Sequence, residues 1–264
     1  MRPSLATLLA PLVGVAALAA CTSGVAGAGT ASVATPGGDP RGGAITVFAA
    51  ASLLEAFTTL GGQFESVNPG VQVVLSFAGS SALAAQITDG APVDVFAAAS
   101  PATMDRVVGA GLATDPTPFA RNSMQIAVPA ANRAGVASLC DLADPSVKVA
   151  ICQPQVPCGA AAAQVLGNAS VTVQPVTLDP DVKSVLGRVR LGEVDAGIVY
   201  VTDVIAAGKG VKGVDIPTRL NATASYPIVA LSGSPNPVVA AAFVEFVLSP
   251  AGEAGLRAAG FEVP

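Results

Sequence analysis

Ile45-Thr46-Val47-Phe48-Ala49-Ala50-Ala51-Ser52-Leu53-Leu54-Glu55 runs from β-branched and aromatic residues into three alanines and then a hydroxyl. This pattern predicts a strand over 44–49 that ends in small residues and a helix over 53–67 that begins beside Ser52. Glu55 follows Ser52 by three residues, the spacing of a capping box, so Ser52 taken alone reads either as a plain helix cap or as a hydroxyl left for a ligand. The same arrangement recurs downstream in Ser76-Phe77-Ala78-Gly79-Ser80-Ser81, after a strand over 71–77 and before a helix over 82–89. In an α/β sheet the carboxyl ends of neighbouring strands face one crevice, so both junctions are expected to meet there. Two helix N-termini and two hydroxyls make an anion site without a cationic side chain.

The rest of the chain continues the alternation. Strands are predicted over 93–97, 125–129, 147–152, 196–201 and 226–231, and helices over 102–110, 159–166, 182–190, 203–207, 237–248 and 250–259. The class is α/β, and no repeat at a solenoid period is present.

Composition removes several functions. With 52% hydrophobic and 12% charged residues among 264, the chain can build a packed core. It contains no histidine, which excludes Ser-His-Asp and Cys-His nucleophile systems and His-ligated zinc. Thirteen basic against eighteen acidic side chains, two tyrosines and no tryptophan leave neither a basic footprint nor a stacking platform for nucleic acid.

The N-terminus reads as an address. Arg2, an apolar run that ends by Ala20, and Leu18-Ala19-Ala20-Cys21 form a lipoprotein signal peptide over 1–20, with Cys21 as the lipidated mature N-terminus. Its removal takes Arg2 away and leaves twelve basic against eighteen acidic side chains, a net charge of −6. Residues 21–43, dense in Gly, Ala, Ser, Thr and Pro, read as a flexible tether of roughly 25 Å root-mean-square span. The expected location is extracytoplasmic, anchored to the membrane through that lipid.

Cys140, Cys152 and Cys158 remain in a compartment that permits disulfides, so one is odd. Cys152 and Cys158 bracket a loop stiffened by Pro154 and Pro157 and are the expected pair. The Asp179/Asp181 and Asp141/Asp144 pairs, which resemble catalytic carboxylates, are read as helix caps. The sequons at Asn168 and Asn221 are expected to go unused.

The quoted segments, with Gly90-Ala91-Pro92-Val93-Asp94-Val95-Phe96, Val156-Pro157-Cys158-Gly159 and Gly197-Ile198-Val199-Tyr200, resemble the periplasmic molybdate-binding proteins of ABC transporters in order and spacing. The resemblance covers essentially all of 44–264. It implies a two-lobed class II periplasmic-binding-protein fold with the ligand cleft between the lobes. Lobe I would comprise 44–122 and 226–264, lobe II 123–225, with crossings near 123–129 and 225–231. Carried over residue by residue, it implies oxyanion contacts from Ser52 and Ser80 (hydroxyl and backbone N–H), Cys158 and Val182 (backbone N–H only) and Tyr200 (phenol O–H). Cys158 stands where alanine is common in the family, and a backbone contact tolerates that change.

Molybdenum would be present only within the oxyanion. The implied ligands are molybdate and tungstate, the implied partner is an ABC permease, and the chain would act as a monomer without cofactor or catalysis. Molybdate at neutral pH carries no proton, so a pocket of donors alone matches it. Another tetrahedral oxyanion, such as sulfate, is the alternative within the same class. A hydrolase with Ser52 or Ser80 as nucleophile is the enzymatic alternative, against which stand the missing histidine and the absence of Ser-x-x-Lys at either serine. A purely adhesive lipoprotein, which no oxyanion would stabilise, is the third.

Overall fold

The structure is a computed structural model and describes residues 42–264. The signal peptide, Cys21 and nearly all of the 21–43 tether lie outside the described residues. The elements are β1 (Gly43–Ala50), α1 (Leu54–Val67), β2 (Val71–Ala78), α2 (Ser80–Thr88), β3 (Val95–Ala97), α3 (Pro101–Gly109), β4 (Thr117–Pro129), β5 (Val149–Cys152), α4 (Pro157–Ala169), β6 (Thr177–Asp179), α5 (Val182–Leu191), β7 (Ala196–Tyr200), α6 (Val201–Ala207), β8 (Val211–Asp215), β9 (Thr223–Ala230), α7 (Pro237–Leu248) and α8 (Pro250–Ala258). A 3-10 turn, Ala51–Leu53, joins β1 to α1.

The strands follow the order β2-β1-β3-β9-β4-β7-β5-β6, with β8 on β4. β1 pairs in parallel with β2 and β3, and β5 in parallel with β6 and β7, whereas β9 runs antiparallel to β3 and β4. β4 serves two sheets. Its Thr117–Ser123 stretch pairs with β9, and Met124–Ala127 pairs with β7.

Only the end of this strand, 125–129 with the crossing segment from 123, was expected from sequence. Pro118 and the polar Arg121, Asn122 and Ser123 interrupt the apolar pattern of its first half, and the register shifts between Pro118 and Ala120. β6 and β8 were not expected either. One is three residues long, and the other is a largely exposed Val-Lys-Gly-Val-Asp segment, too short and too polar to announce a strand.

Alternation along β1 fills two cores. Ile45, Val47 and Ala49 pack with Leu53, Phe57, Leu60 and Phe64 of the first helical stretch and Phe243 of α7. Phe48 faces the other way, with Leu83 and Ile87 of α2 and Met104 and Val107 of α3. The second sheet has its own core, in which Ile126, Val149 and Ile198 meet Ala162 and Val165 of α4 and Val185 and Val189 of α5. The first sheet thus carries helices on both faces, and the carboxyl ends of the parallel strands of each sheet point at the other.

Candidate functional site

Register builds the first wall of the site. Ala50 of β1 is paired with Ala78 of β2, so Ser52 and Ser80, each two residues further on, emerge side by side at one sheet edge. On the second sheet Cys152 is paired with Asp179, which sets the starts of α4 and α5 next to each other. β7 ends at Tyr200 in the same layer. A single cavity of about 20 Å³ is lined by Ser52, Ser80, Cys158, Val182 and Tyr200, together with Gly79 and Asp181. All five residues named from the resemblance therefore meet in one place.

Neither hydroxyl caps its helix, so the plain-cap reading of Ser52 does not hold. Neither 3-10 turn Ala51–Leu53 nor α1 has a side-chain cap, and the cap position of α2 is Gly79. Ser52 Oγ lies 3.0 Å from Tyr226 Oη, and Ser80 Oγ accepts the Ala99 N–H at 3.0 Å. Glu55, the other half of the expected capping box, pairs instead with Lys183 Nζ at 2.7 Å. Tertiary partners have taken over groups that local spacing assigned to the helix ends.

Donors dominate the lining. Cys158 and Val182 stand in the first turns of α4 and α5, where backbone N–H groups have no acceptor within the helix. Tyr200 is buried and its Oη has no hydrogen-bond partner among the described residues. Burial, with the nearby Tyr226 and Asp203, holds that phenol far above its ordinary range, so it is a neutral donor. Among the described residues, no Lys or Arg lines the cavity. Asp181 is the one carboxylate, and it caps α5, accepting from Ser184 N at 2.9 Å and Ser184 Oγ at 3.1 Å.

Asp181 is thus a cap as expected, whereas the other three acidic residues are not. Asp179 ends β6 and pairs with Arg188 at 2.8 Å. Asp141 clasps the backbone N–H groups of Ala137 and Ser138, and Asp144 that of Ser146, in the loop before β5.

The two sheets touch across this cavity. Ser81 Oγ donates to the Gln155 carbonyl at 2.8 Å, and a β-carbon on Gly79 would lie 2.5 Å from the Pro180 carbonyl oxygen. Lys183 reaches from α5 to Glu55 on α1 and also to the fully buried Asp203 at 2.9 Å. Asp203 in turn accepts the Tyr200 N–H at 3.1 Å and so holds the end of β7. Sequence reading missed Lys183, Asp203 and Tyr226. A lysine in the first turn of a helix, where the dipole disfavours it, was the available signal for the first.

Cys152 and Cys158 form a disulfide, and Cys140 is a free, exposed thiol. Gly159 follows the bridge because a β-carbon there would lie 1.9 Å from the Gln153 carbonyl oxygen. A link across a sequence separation of 6 is worth about 2 kcal/mol in the chain-entropy account and ties the start of α4 to β5. Mass mapping without reductant should return Cys152 joined to Cys158 and an alkylated Cys140; a linked peptide containing Cys140 would contradict this pairing.

Residues 45–262 match the family described as bacterial extracellular solute-binding protein. The chain is 42% identical over 252 residues to the molybdate-binding protein ModA of Mycobacterium tuberculosis, covering 95% of this chain and 94% of that protein. Among solved structures it is similar to the periplasmic molybdate-binding protein of Azotobacter vinelandii, with a TM-score of 0.73 at 23% identity over 83% of this chain and 99% of that one. The sulfate-binding protein SubI of M. tuberculosis matches with a TM-score of 0.74 at 21% identity, covering 83% and 86%. These two likenesses establish the periplasmic solute-binding fold.

Proposed function

The chain belongs to the molybdate-binding proteins among the bacterial extracellular solute-binding proteins, and on that premise we propose that it captures molybdate, and tungstate with it, and delivers the ion to an ABC permease. It is a transport component and not an enzyme. Neither serine faces a general base: Ser52 is paired with a tyrosine and Ser80 with a backbone N–H.

One observation carries the reading. A buried Tyr200 hydroxyl without a partner shares a cavity of about 20 Å³ with two serine hydroxyls and the free N–H groups of helix starts. A buried polar atom left unpaired costs about 1–3 kcal/mol, and a ligand acceptor would recover it. That volume is the room open to the centre of a water-sized sphere, so the space enclosed is on the scale of one small tetrahedral ion and smaller than a sugar or peptide. In this reading Ser52 and Ser80 contribute hydroxyl and N–H, Cys158 and Val182 their N–H, and Tyr200 its O–H.

The lobe division 44–122 with 226–264 against 123–225, with β4 and β9 as the hinge, belongs to the same proposal. So do the lipid anchor on Cys21 and the monomeric state. A dianion that bonds to Ser52 and Ser80 on one side and Tyr200 on the other supplies the differential contact that favours closure.

Ser52→Ala, Ser80→Ala and Tyr200→Phe should each weaken molybdate binding by about 1.5–3 kcal/mol, or roughly ten- to a hundredfold, by calorimetry. Tyr200→Phe keeps the ring and its packing, so the ligand-free chain should unfold as the unsubstituted protein does. Unchanged affinity in these variants would remove the cavity from the function.

A further inference from the structure

Among the ion pairs of the described residues, one joins the two sheets. Lys183 Nζ of α5 lies 2.9 Å from Glu55 Oε1 and 2.7 Å from Glu55 Oε2 of α1. The same Nζ lies 2.9 Å from Oδ1 of Asp203 on α6, so one ammonium stands between two carboxylates. Their surroundings differ: Asp203 is fully buried and Glu55 is half-exposed. The contacts of Ser81 with Gln155 and of Gly79 with Pro180, which also cross the cavity, involve no charged group.

None of these three charged residues lines the cavity, yet each is tied to a residue that does. Glu55 lies three residues beyond Ser52, and Lys183 directly follows Val182. Asp203 accepts the Tyr200 N–H at 3.1 Å. The bridge therefore reaches the backbone at or near three of the five proposed ion contacts, one on the first sheet and two on the second.

Its two halves have different consequences under the proposed closure. Lys183 and Asp203 both belong to the second sheet's side, so their pair persists when the sheets separate. The pair of Lys183 with Glu55 spans the cleft and forms only when α1 and α5 approach. An ion pair confined to one of two states shifts the equilibrium between them, and with it the apparent affinity of a ligand that binds that state.

We propose that Glu55 and Lys183 are positioning residues for the ion: their pair forms as the sheets close, holds Ser52 and Val182 at their binding separation and slows release, although neither side chain touches the ion. The proposal rests on the functional reading above and adds the charges that hold the closed arrangement. Its sign is distinctive. A carboxylate close to an anion site repels the ion, so the field alone predicts tighter binding once the Glu55 charge is removed. Loss of the latch predicts weaker binding.

The test uses Glu55→Ala, at a half-exposed helical position where alanine is a good helix former and the pair of Lys183 with Asp203 is untouched. Glu55→Gln, which removes the charge and keeps the size, is the second variant. Calorimetric titration with molybdate at pH 7 and low salt should give a Kd about three- to tenfold higher in both, with dissociation in stopped flow faster by a similar factor. The ligand-free melting temperature should not change, which a merely structural role for the pair would not allow. In about 1 M sodium chloride the difference from the unsubstituted chain should shrink, because salt screens a partly exposed pair. Unchanged or tighter binding in Glu55→Ala would overturn the proposal. A lowered ligand-free melting temperature would overturn it too, because the pair would then exist without the ion. Failure of the unsubstituted chain to bind molybdate would overturn the functional reading and this proposal with it, whereas the other outcomes leave that reading standing.

Discussion

Gly79→Ala is expected to weaken molybdate binding by about ten- to a hundredfold while the ligand-free chain stays folded. Gly79 has φ −57° and ψ 129°, a conformation open to any L-residue, so the backbone is not what requires glycine. Space is the reason: the added β-carbon would lie 2.5 Å from the Pro180 carbonyl oxygen and 3.7 Å from Asp181 Cβ. Gly79 belongs to the first sheet's side of the cavity and Pro180 to the second, and a backbone oxygen has no rotamer with which to yield.

Overpacking of this kind costs roughly 1–3 kcal/mol. Under the proposed closure that cost falls on the closed arrangement, because separated sheets would relieve the clash. The unfolded chain also loses freedom when Gly becomes Ala, which stabilises a compatible fold by about 0.4–1 kcal/mol. The expected signature is a ligand-free melting temperature that is unchanged or raised, together with a weakened molybdate isotherm. Affinity equal to that of the unsubstituted chain would show that binding does not require the approach of Gly79 to Pro180.

Lys183→Met is expected to cost about 3 kcal/mol of stability above pH 7, and clearly less near pH 5. The lysine holds two carboxylates, the half-exposed Glu55 and the fully buried Asp203. Burial works against its charge, yet Asp203 and Glu55 outweigh burial and raise its pKa. Removing one partner of a buried ion pair leaves the other charge uncompensated, which accounts for the magnitude.

The pH dependence follows from Asp203. Burial pushes its carboxyl up to about 6, opposed by Lys183 and the Tyr200 N–H, with Glu55 adding to the rise. Tyr226 and Tyr200 are the other titratable groups close by, and both remain neutral through this range. Between its ordinary value of 3.8 and about 6 the folded chain holds a proton that the unfolded chain has released. This group's contribution to stability is therefore fullest below pH 4 and declines as pH rises through 6, by roughly 3 kcal/mol for a shift of about two units.

Asp141 and Asp144 do not blur that window. Their pKa values are lowered, chiefly by the Ala137 N–H and the Ser146 hydroxyl, so their contributions are present above 3.8 and are lost only below it. Urea unfolding between pH 4 and 7 should show the decline in the unsubstituted chain, and a flatter profile in Asp203→Asn, which retains an acceptor for Tyr200 N. Identical slopes would mean that Asp203 does not titrate there.

The parts of this molecule legible in its sequence were those written in short spacing. The alternation through Ile45, Val47 and Ala49 gave the strand, the alanines gave its end, and repetition at Ser80 gave the second junction. Resemblance supplied Val182 and Tyr200, which look like ordinary core and sheet-edge residues when read alone. The capping roles given to Asp141, Asp144 and Asp179, and the capping alternative for Ser52, did not hold, because a side chain that satisfies a local pattern is also free to bond elsewhere, Ser52 at long range. Tyr226 is 174 residues from Ser52, and Lys183 is 128 from Glu55. No local window contains either pair. The first half of β4 was hidden for a related reason: it changes sheets, so its burial pattern obeys two different surroundings in turn.

The most direct test of the account is a calorimetric titration of the purified chain with molybdate at pH 7, beside sulfate and phosphate at the same concentrations. One molybdate per chain should bind, and a thousandfold excess over Kd should stabilise the fold by about 4 kcal/mol, while sulfate and phosphate do little. No saturable heat with molybdate, or binding of sulfate or phosphate as tight as that of molybdate, would contradict it.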